Sequence, residues 1–179
     1  MIIIETSLKG CVIIEPELLK DSRGYFYESF NQQKFNNGIG LDINFVQDNE
    51  SLSQKGVLRG LHYQEGDYAQ AKLVRVIKGK VLDVAVDIRK NSPTYGKHFS
   101  VILSEQNKKQ LFIPRDFAHG FLVLEDNTLF SYKCDNYYNK ESERGIIYND
   151  ESLKIDWGLP VEQLILSEKD VQQPKFHNP

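Results

Sequence analysis

Short runs rich in β-branched and aromatic residues succeed one another from Val12 to Lys133, at positions 25–30, 72–77, 80–88, 98–103, 110–114, 121–124 and 128–133. Runs of this length, set apart by turn-forming residues, read as β-strands. Gly79 between Lys78 and Lys80 predicts a tight turn joining two strands, and the stretch 91–96 (NSPTYG) a longer one, which is the pattern of an antiparallel sandwich or barrel. Within 81–88 a period of two sets Val81, Asp83, Ala85 and Asp87 on one face and Leu82, Val84, Val86 and Ile88 on the other. The second face is expected to pack, leaving the first to carry a site. Helical signal is sparse: a short helix over 32–37, and another over 167–171 with Ser167 as N-cap and Asp170 three residues on.

Composition narrows the picture to a single domain over 1–179, because 179 residues with 40% hydrophobic content suffice to bury one substantial core. The formal net charge of -3, without runs of like charge, argues against nucleic acid or a membrane surface as partner. Anion binding then falls to local arginines and lysines. No apolar run is long enough to span a bilayer, residues 1–4 are too few for a signal sequence, and a cytoplasmic location is expected. Cys11 and Cys134 lack CxxC spacing and read as small buried thiols.

The segment from Gly56 to Gly79 carries the spacing of a metal-binding cupin: a glycine, five residues, a histidine, a second histidine two positions on, and a glutamate seven positions before a closing glycine. Gly56, His62 and Gly79 keep their places, whereas Gln64 stands at the second histidine and Lys72 at the glutamate. A second half of the pattern, after Pro114, keeps His119. An ammonium cannot ligate a metal, so two ligand-type residues of four remain and a cation sits among them. That set suits an oxyanion better than zinc or iron, and no metal or other cofactor is expected.

Segments 21–28 (DSRGYFYE), 47–49 (QDN), 55–64 (KGVLRGLHYQ), 71–76 (AKLVRV), 83–89 (DVAVDIR), 117–121 (FAHGF), 132–133 (YK), 143–145 (ERG) and 166–170 (LSEKD) together resemble the dTDP-4-dehydrorhamnose 3,5-epimerase family. The resemblance covers nearly the whole chain. It departs at Asp116, where the family usually has glycine, and at Asn139 and Lys140, where proline often follows the paired tyrosines. Aspartate tolerates a left-handed backbone better than most residues, so the turn at Asp116 is expected to survive. Membership implies an all-β fold, a cupin jelly-roll sandwich or barrel with a few short helices, and a homodimer. The implied substrate is a dTDP-linked 4-keto-6-deoxyhexose, inverted at carbons 3 and 5 in a step of dTDP-L-rhamnose biosynthesis.

Inversion beside a ketone requires a base, an electrophile for the enolate oxygen and an acid on the opposite face. By the resemblance His62 is the base, since imidazole is available neutral near pH 7. Asp170 orients it, Lys72 is the electrophile and Tyr132 the acid, with Tyr137 and Tyr138 as nearby rival phenols. His119 is expected to contact the sugar. Arg23 and Arg59 suit pyrophosphate oxygens, Gln47, Asp48 and Asn49 suit sugar hydroxyls or base, and Glu28 the thymine ring. Glu143 and Lys169 complete the binding set, and Tyr138 and Phe26 offer aromatic surface. Asp83 is read as positioning Lys72, Arg75 and Arg89 as surface or ion-pair arginines, and His98 and His177 as satisfied polar groups. Two further readings stay open: an epimerase of one carbon or of a related deoxysugar nucleotide, and a non-catalytic sugar-nucleotide-binding cupin. A metal-dependent cupin is disfavoured by Gln64 and Lys72.

Overall fold

The computed structural model describes residues 1–176, so His177 lies outside the described residues. Its strands are β1 (Ile2–Glu5), β2 (Val12–Glu15), β3 (Leu19–Asp21), β4 (Gly24–Phe26), β5 (Gln47–Ser53), β6 (Leu58–Gln64), β7 (Lys72–Lys78), β8 (Lys80–Asp87), β9 (His98–Ser104), β10 (Gln110–Ile113), β11 (Phe117–Val123), β12 (Thr128–Cys134) and β13 (Glu143–Gly145). Helices are α1 (Gln32–Ile39) and α2 (Glu168–Val171). One sheet runs β1-β2-β10-β7-β12-β5 and the other β13-β6-β11-β8-β9, while β3 and β4 form a separate ribbon. The two sheets share one core, with Val74, Val76, Leu111, Ile113 and Phe130 of the first meeting Val81, Ala85, Leu103, Phe117, Phe121 and Val123 of the second. This is the expected jelly-roll sandwich. No helix among the described residues is long and apolar enough to cross a membrane.

Alternation decides what faces what. Along β7, Val74 and Val76 enter the inter-sheet core, whereas Leu73 turns outward and packs with Phe35 of α1 and Phe112 of β10. Burying each such side chain contributes roughly 1.5–3 kcal/mol. Gly79 is not the tip of a hairpin, because β7 and β8 lie in different sheets and the chain crosses between them there. Its φ of +82° and the collision that a Cβ would make with Thr128 both demand glycine.

Strand β8 departs from the expectation of one packed and one free face, since both are buried. Leu82, Val84 and Val86 are covered by Ile146, Tyr148, Leu153 and Trp157 from the C-terminal segment. Asp83 and Asp87, each 0% exposed, point the other way and are fully partnered. Asp87 accepts from Arg89 at 2.7 Å, Ser92 at 2.5 Å and Thr94 at 2.6 Å. Burial pushes its pKa up, but these donors prevail and bring it down to about 2. Arg89 is thus an ion-pair arginine, and Arg75 donates to the Tyr27 hydroxyl at 3.0 Å.

The expected strand over 25–30 stops at Phe26, and the chain turns into α1, capped by Asn31, whose side chain accepts from Lys34 N. Strand β5 carried no apolar signal because both of its faces are polar, and its ladder with β12 makes it a strand. Asp116 adopts φ +61°, the left-handed conformation expected of it.

Candidate active site

Two histidines face each other across neighbouring strands. In the antiparallel pair of β6 and β11, His62 stands opposite His119. The strands approach closely at Gly60, whose φ is +122° and where a Cβ would strike Gly120 and the His119 carbonyl. Glycine there lets both imidazoles share one end of the sandwich.

His62 is held from the C-terminal segment. Its Nε2 lies 2.5 Å from Asp170 Oδ1, and the Ser167 hydroxyl donates to Asp170 Oδ2 at 2.8 Å. Burial raises the Asp170 pKa, yet the hydrogen bonds from His62, Ser167 and the Gly60 backbone outweigh it and hold the carboxyl below its ordinary range. An ionised Asp170 requires an Nε2–H on His62, which leaves Nδ1 as the ring's basic nitrogen. His119 is arranged similarly, its Nε2 3.0 Å from both oxygens of Asp83. Burial depresses the His119 pKa despite Asp83, so the neutral ring donates to Asp83 and keeps Nδ1 as an acceptor.

The opposing sheet supplies Lys72 from β7 and Tyr132 from β12. No carboxylate ion-pairs with Lys72 among the described residues, and burial pulls its pKa below the ordinary lysine value against the fields of Cys134, Asp83 and Glu143. Burial raises the Tyr132 pKa, keeping the phenol protonated. Lys72, Tyr132, His62, His119, Arg59, Lys169 and Asp170 line one cavity of about 620 Å³. An adjoining recess of about 320 Å³ is lined by Gln47, Gln64, Tyr138 and Glu143, and shares Asn49, His62, Lys72 and Tyr132 with the first. A partly buried site with basic and acidic groups on facing walls can take a proton from one side of a substrate and return one to the other.

Of the expected binding residues, Gln47, Asn49, Arg59, His119, Tyr138, Glu143 and Lys169 line these two lobes. Tyr138 donates to Glu143 Oε2 at 3.0 Å, and Lys169 pairs with the same oxygen at 2.5 Å. Three others lie elsewhere in this chain. Asp48 falls on the outer face of β5, one step out of phase with Gln47 and Asn49, and pairs with Lys133 at 2.8 Å. Arg23 sits at the tip of the β3–β4 ribbon bound to Asp21, and Glu28 pairs with Lys34 beside α1. Tyr137 is exposed and absent from both lobes.

Three side chains support the site from behind, of which the sequence leaves only Ser53 unmarked. Ser53 Oγ accepts from Arg59 Nε at 3.3 Å and Nη2 at 3.2 Å, orienting the guanidinium. Gln64, which occupies a metal-ligand position of other cupins, accepts from Asn139 N at 3.0 Å, and Gln47 accepts from Tyr138 N at 3.1 Å. The two glutamines thereby seat the Tyr138 loop. The signal available for Ser53 was its phase with Gln47 and Asn49 on one strand. Asp83 meets His119 rather than forming an ion pair with Lys72, although its field reaches the lysine.

The family model described as dTDP-4-dehydrorhamnose 3,5-epimerase matches residues 5–178. The dTDP-4-dehydrorhamnose 3,5-epimerase of Shigella flexneri is 54% identical over 176 residues, 98% of this chain and 96% of that protein. Among solved structures, the dTDP-4-dehydrorhamnose 3,5-epimerase of Elizabethkingia anophelis superposes with a TM-score of 0.95 at 56% identity, covering 98% of this chain and 96% of that one. A dTDP-6-deoxy-D-glucose-3,5-epimerase from Legionella pneumophila, solved in complex with dTDP-4-keto-L-rhamnose, gives 0.91 at 49% identity and 98% coverage of both chains. With the match running almost end to end at this level of identity, the chain belongs to the dTDP-4-dehydrorhamnose 3,5-epimerase family.

Proposed function

We propose that the protein is an isomerase that converts dTDP-4-keto-6-deoxyglucose to dTDP-4-dehydrorhamnose by inverting carbons 3 and 5. The observation that carries this reading is the placement of His62 and Tyr132 on opposing sheets around one cavity. His62 Nδ1 takes the proton from a carbon beside the C4 ketone, and the electron pair moves onto the ketone oxygen. The Lys72 ammonium stabilises that enolate. Tyr132 then gives its proton to the carbon from the far side, so the centre inverts, and solvent resets both groups before the second carbon reacts. Asp170 holds the His62 tautomer and favours the imidazolium that forms. His119 and Asn49 orient the sugar, Arg59 and Lys169 the diphosphate, and Tyr138 offers a face to the base.

Position-resolved deuterium uptake from heavy water into dTDP-4-keto-6-deoxyglucose tests the reading. Label at carbons 3 and 5 together with dTDP-4-dehydrorhamnose as product is expected. Label at one carbon would make this a single-carbon epimerase, and none would leave a binding protein.

The protein is further proposed to act as a homodimer. The β3–β4 ribbon carries Leu19, Tyr25 and Phe26 exposed, the last at 67%, and a second copy would cover that apolar surface. Light scattering of the purified protein decides it. A cytoplasmic location is proposed as well, in keeping with Cys11 and Cys134, both free and buried.

A further inference from the structure

Helix α2 has no apolar anchor of its own. Of its four residues only Asp170 is buried, while Glu168, Lys169 and Val171 are exposed. A single helical turn does not hold itself together in water, and burying a carboxylate costs free energy rather than supplying a docking force. The placement of Asp170 against His62 must therefore be fixed by the chain on either side. Upstream, Leu164 and Leu166 pack on the cluster that contains Leu58, Leu61 and Trp157. Downstream the chain is tied at successive points. Gln173 lays its amide over Gly145, where a Cβ would come within 2.4 Å of Gln173 Cδ, and Gly145 stands opposite His62 in the pair of β6 and β13. The Pro174 carbonyl accepts from Ile147 N at 2.8 Å. Phe176 N donates to Oδ2 of the buried Asp150 at 2.8 Å. The Phe176 ring packs on the same cluster as the two leucines, with its centroid 5.2 Å from that of Tyr95.

We propose that residues 173–176 form a latch that holds Asp170 on His62, with Phe176 as a positioning residue that acts on the imidazole through Asp170. Its bearing on turnover rests on the reading of His62 as the base. Among the described residues after Val171, Phe176 is the one large apolar side chain, so the hold on this stretch depends on its ring. Phe176 lines neither lobe of the cavity and touches no group proposed to meet the substrate. With the ring removed, α2 keeps only its upstream leucines, and a one-turn element held at one end opens readily. Asp170 then trades the imidazole for water. A displacement of about 1 Å at a catalytic contact, caused from a distance, can cost up to about a hundredfold in rate.

The test reads the contact of His62 with Asp170 both without and with catalysis. In proton NMR of the full chain with isotope-labelled histidine, the Nε2–H held by Asp170 gives a far-downfield signal that Asp170→Asn removes. Phe176→Ala is expected to weaken or remove that signal while circular dichroism shows the fold retained. Its kcat is expected to fall about tenfold. In the Asp170→Asn background the same substitution should change kcat by less than about twofold, because the contact it serves is already gone. A wild-type signal in Phe176→Ala overturns the latch. So does an equal fall of kcat in both backgrounds, which is what a merely structural role would give, and so does absence of the signal from the wild type. Phe176→Leu, expected to lose about threefold in kcat, supplies the same comparisons should Phe176→Ala not fold. Deuterium uptake at the wild-type rate in His62→Ala would instead overturn the base reading, and the NMR signal would still decide the latch.

Discussion

Asp170 reaches His62 across 108 residues of chain, its Oδ1 2.5 Å from the imidazole Nε2. The contact depends on the C-terminal segment docking against β6, where Leu58 N donates to the Ile165 carbonyl at 3.0 Å and Ile165 N to the Gly56 carbonyl at 2.8 Å. The Asp170 side-chain carboxylate is thereby fixed beside His62.

Asp170→Asn keeps the shape and removes the charge that sets the His62 tautomer. Turnover is expected to drop by up to about ten-thousandfold, the scale known for the equivalent change in a Ser-His-Asp triad. His62→Ala should abolish deuterium uptake at both carbons with dTDP affinity nearly intact. Uptake at the wild-type rate in His62→Ala would remove His62 from the role of base.

Lys72→Ala is expected to lose about a hundredfold or more in kcat, the size of one missing oxyanion donor. The ammonium is the working form and burial lowers its pKa, so kcat/KM should decline with rising pH below the ordinary lysine range. Tyr132 cannot account for that limb because its own pKa is raised. The pH profile of deuterium uptake in Tyr132→Phe isolates the effect: the alkaline decline should persist there, and its disappearance would assign it to the phenol.

Tyr132→Phe separates base from acid. His62 still removes and returns protons on its own side, so deuterium enters the substrate while inversion collapses. Exchange and product are measured in one sample. Normal epimerisation by Tyr132→Phe alongside failure of Tyr138→Phe would transfer the acid role to Tyr138.

Asp87 tests stability rather than catalysis. Its carboxyl is held at about 2 in the folded chain, below its ordinary value of 3.8, so it contributes about 2 kcal/mol that is fully present above roughly pH 4 and is lost as pH falls towards 2. Asp87→Asn should therefore be less stable than wild type to urea at pH 7, with the gap closing on acidification. A gap independent of pH would show that the charge is not what matters.

How much of this was legible in the chain can be seen strand by strand. Strand β7 announced itself because Leu73, Val74, Val76 and Ile77 are β-branched or apolar and stiff, and a short apolar run between polar residues has few other uses. Strand β5 did not, because QDNESLS carries polar residues on both faces, one towards solvent and one towards the cavity. Only its pairing with β12 made it a strand. The Gly79 turn was legible as a turn, but which sheets it joins depends on contacts far along the chain.

The site divides in the same way. Residue types and their spacing along β6 and β7 determined that His62, Lys72 and a glutamine stand where other cupins bind a metal, because position within a strand sets phase and phase sets the face. The family resemblance already pairs Asp170 with His62, whereas the tertiary structure alone decided that Asp83 serves His119, that Arg23, Glu28 and Asp48 lie away from the cavity of this chain, and that Ser53 aims Arg59. These are contacts between side chains remote in sequence, or choices between two faces of a polar strand. Local preference is silent on both, and the packing of one sheet on the other settles them.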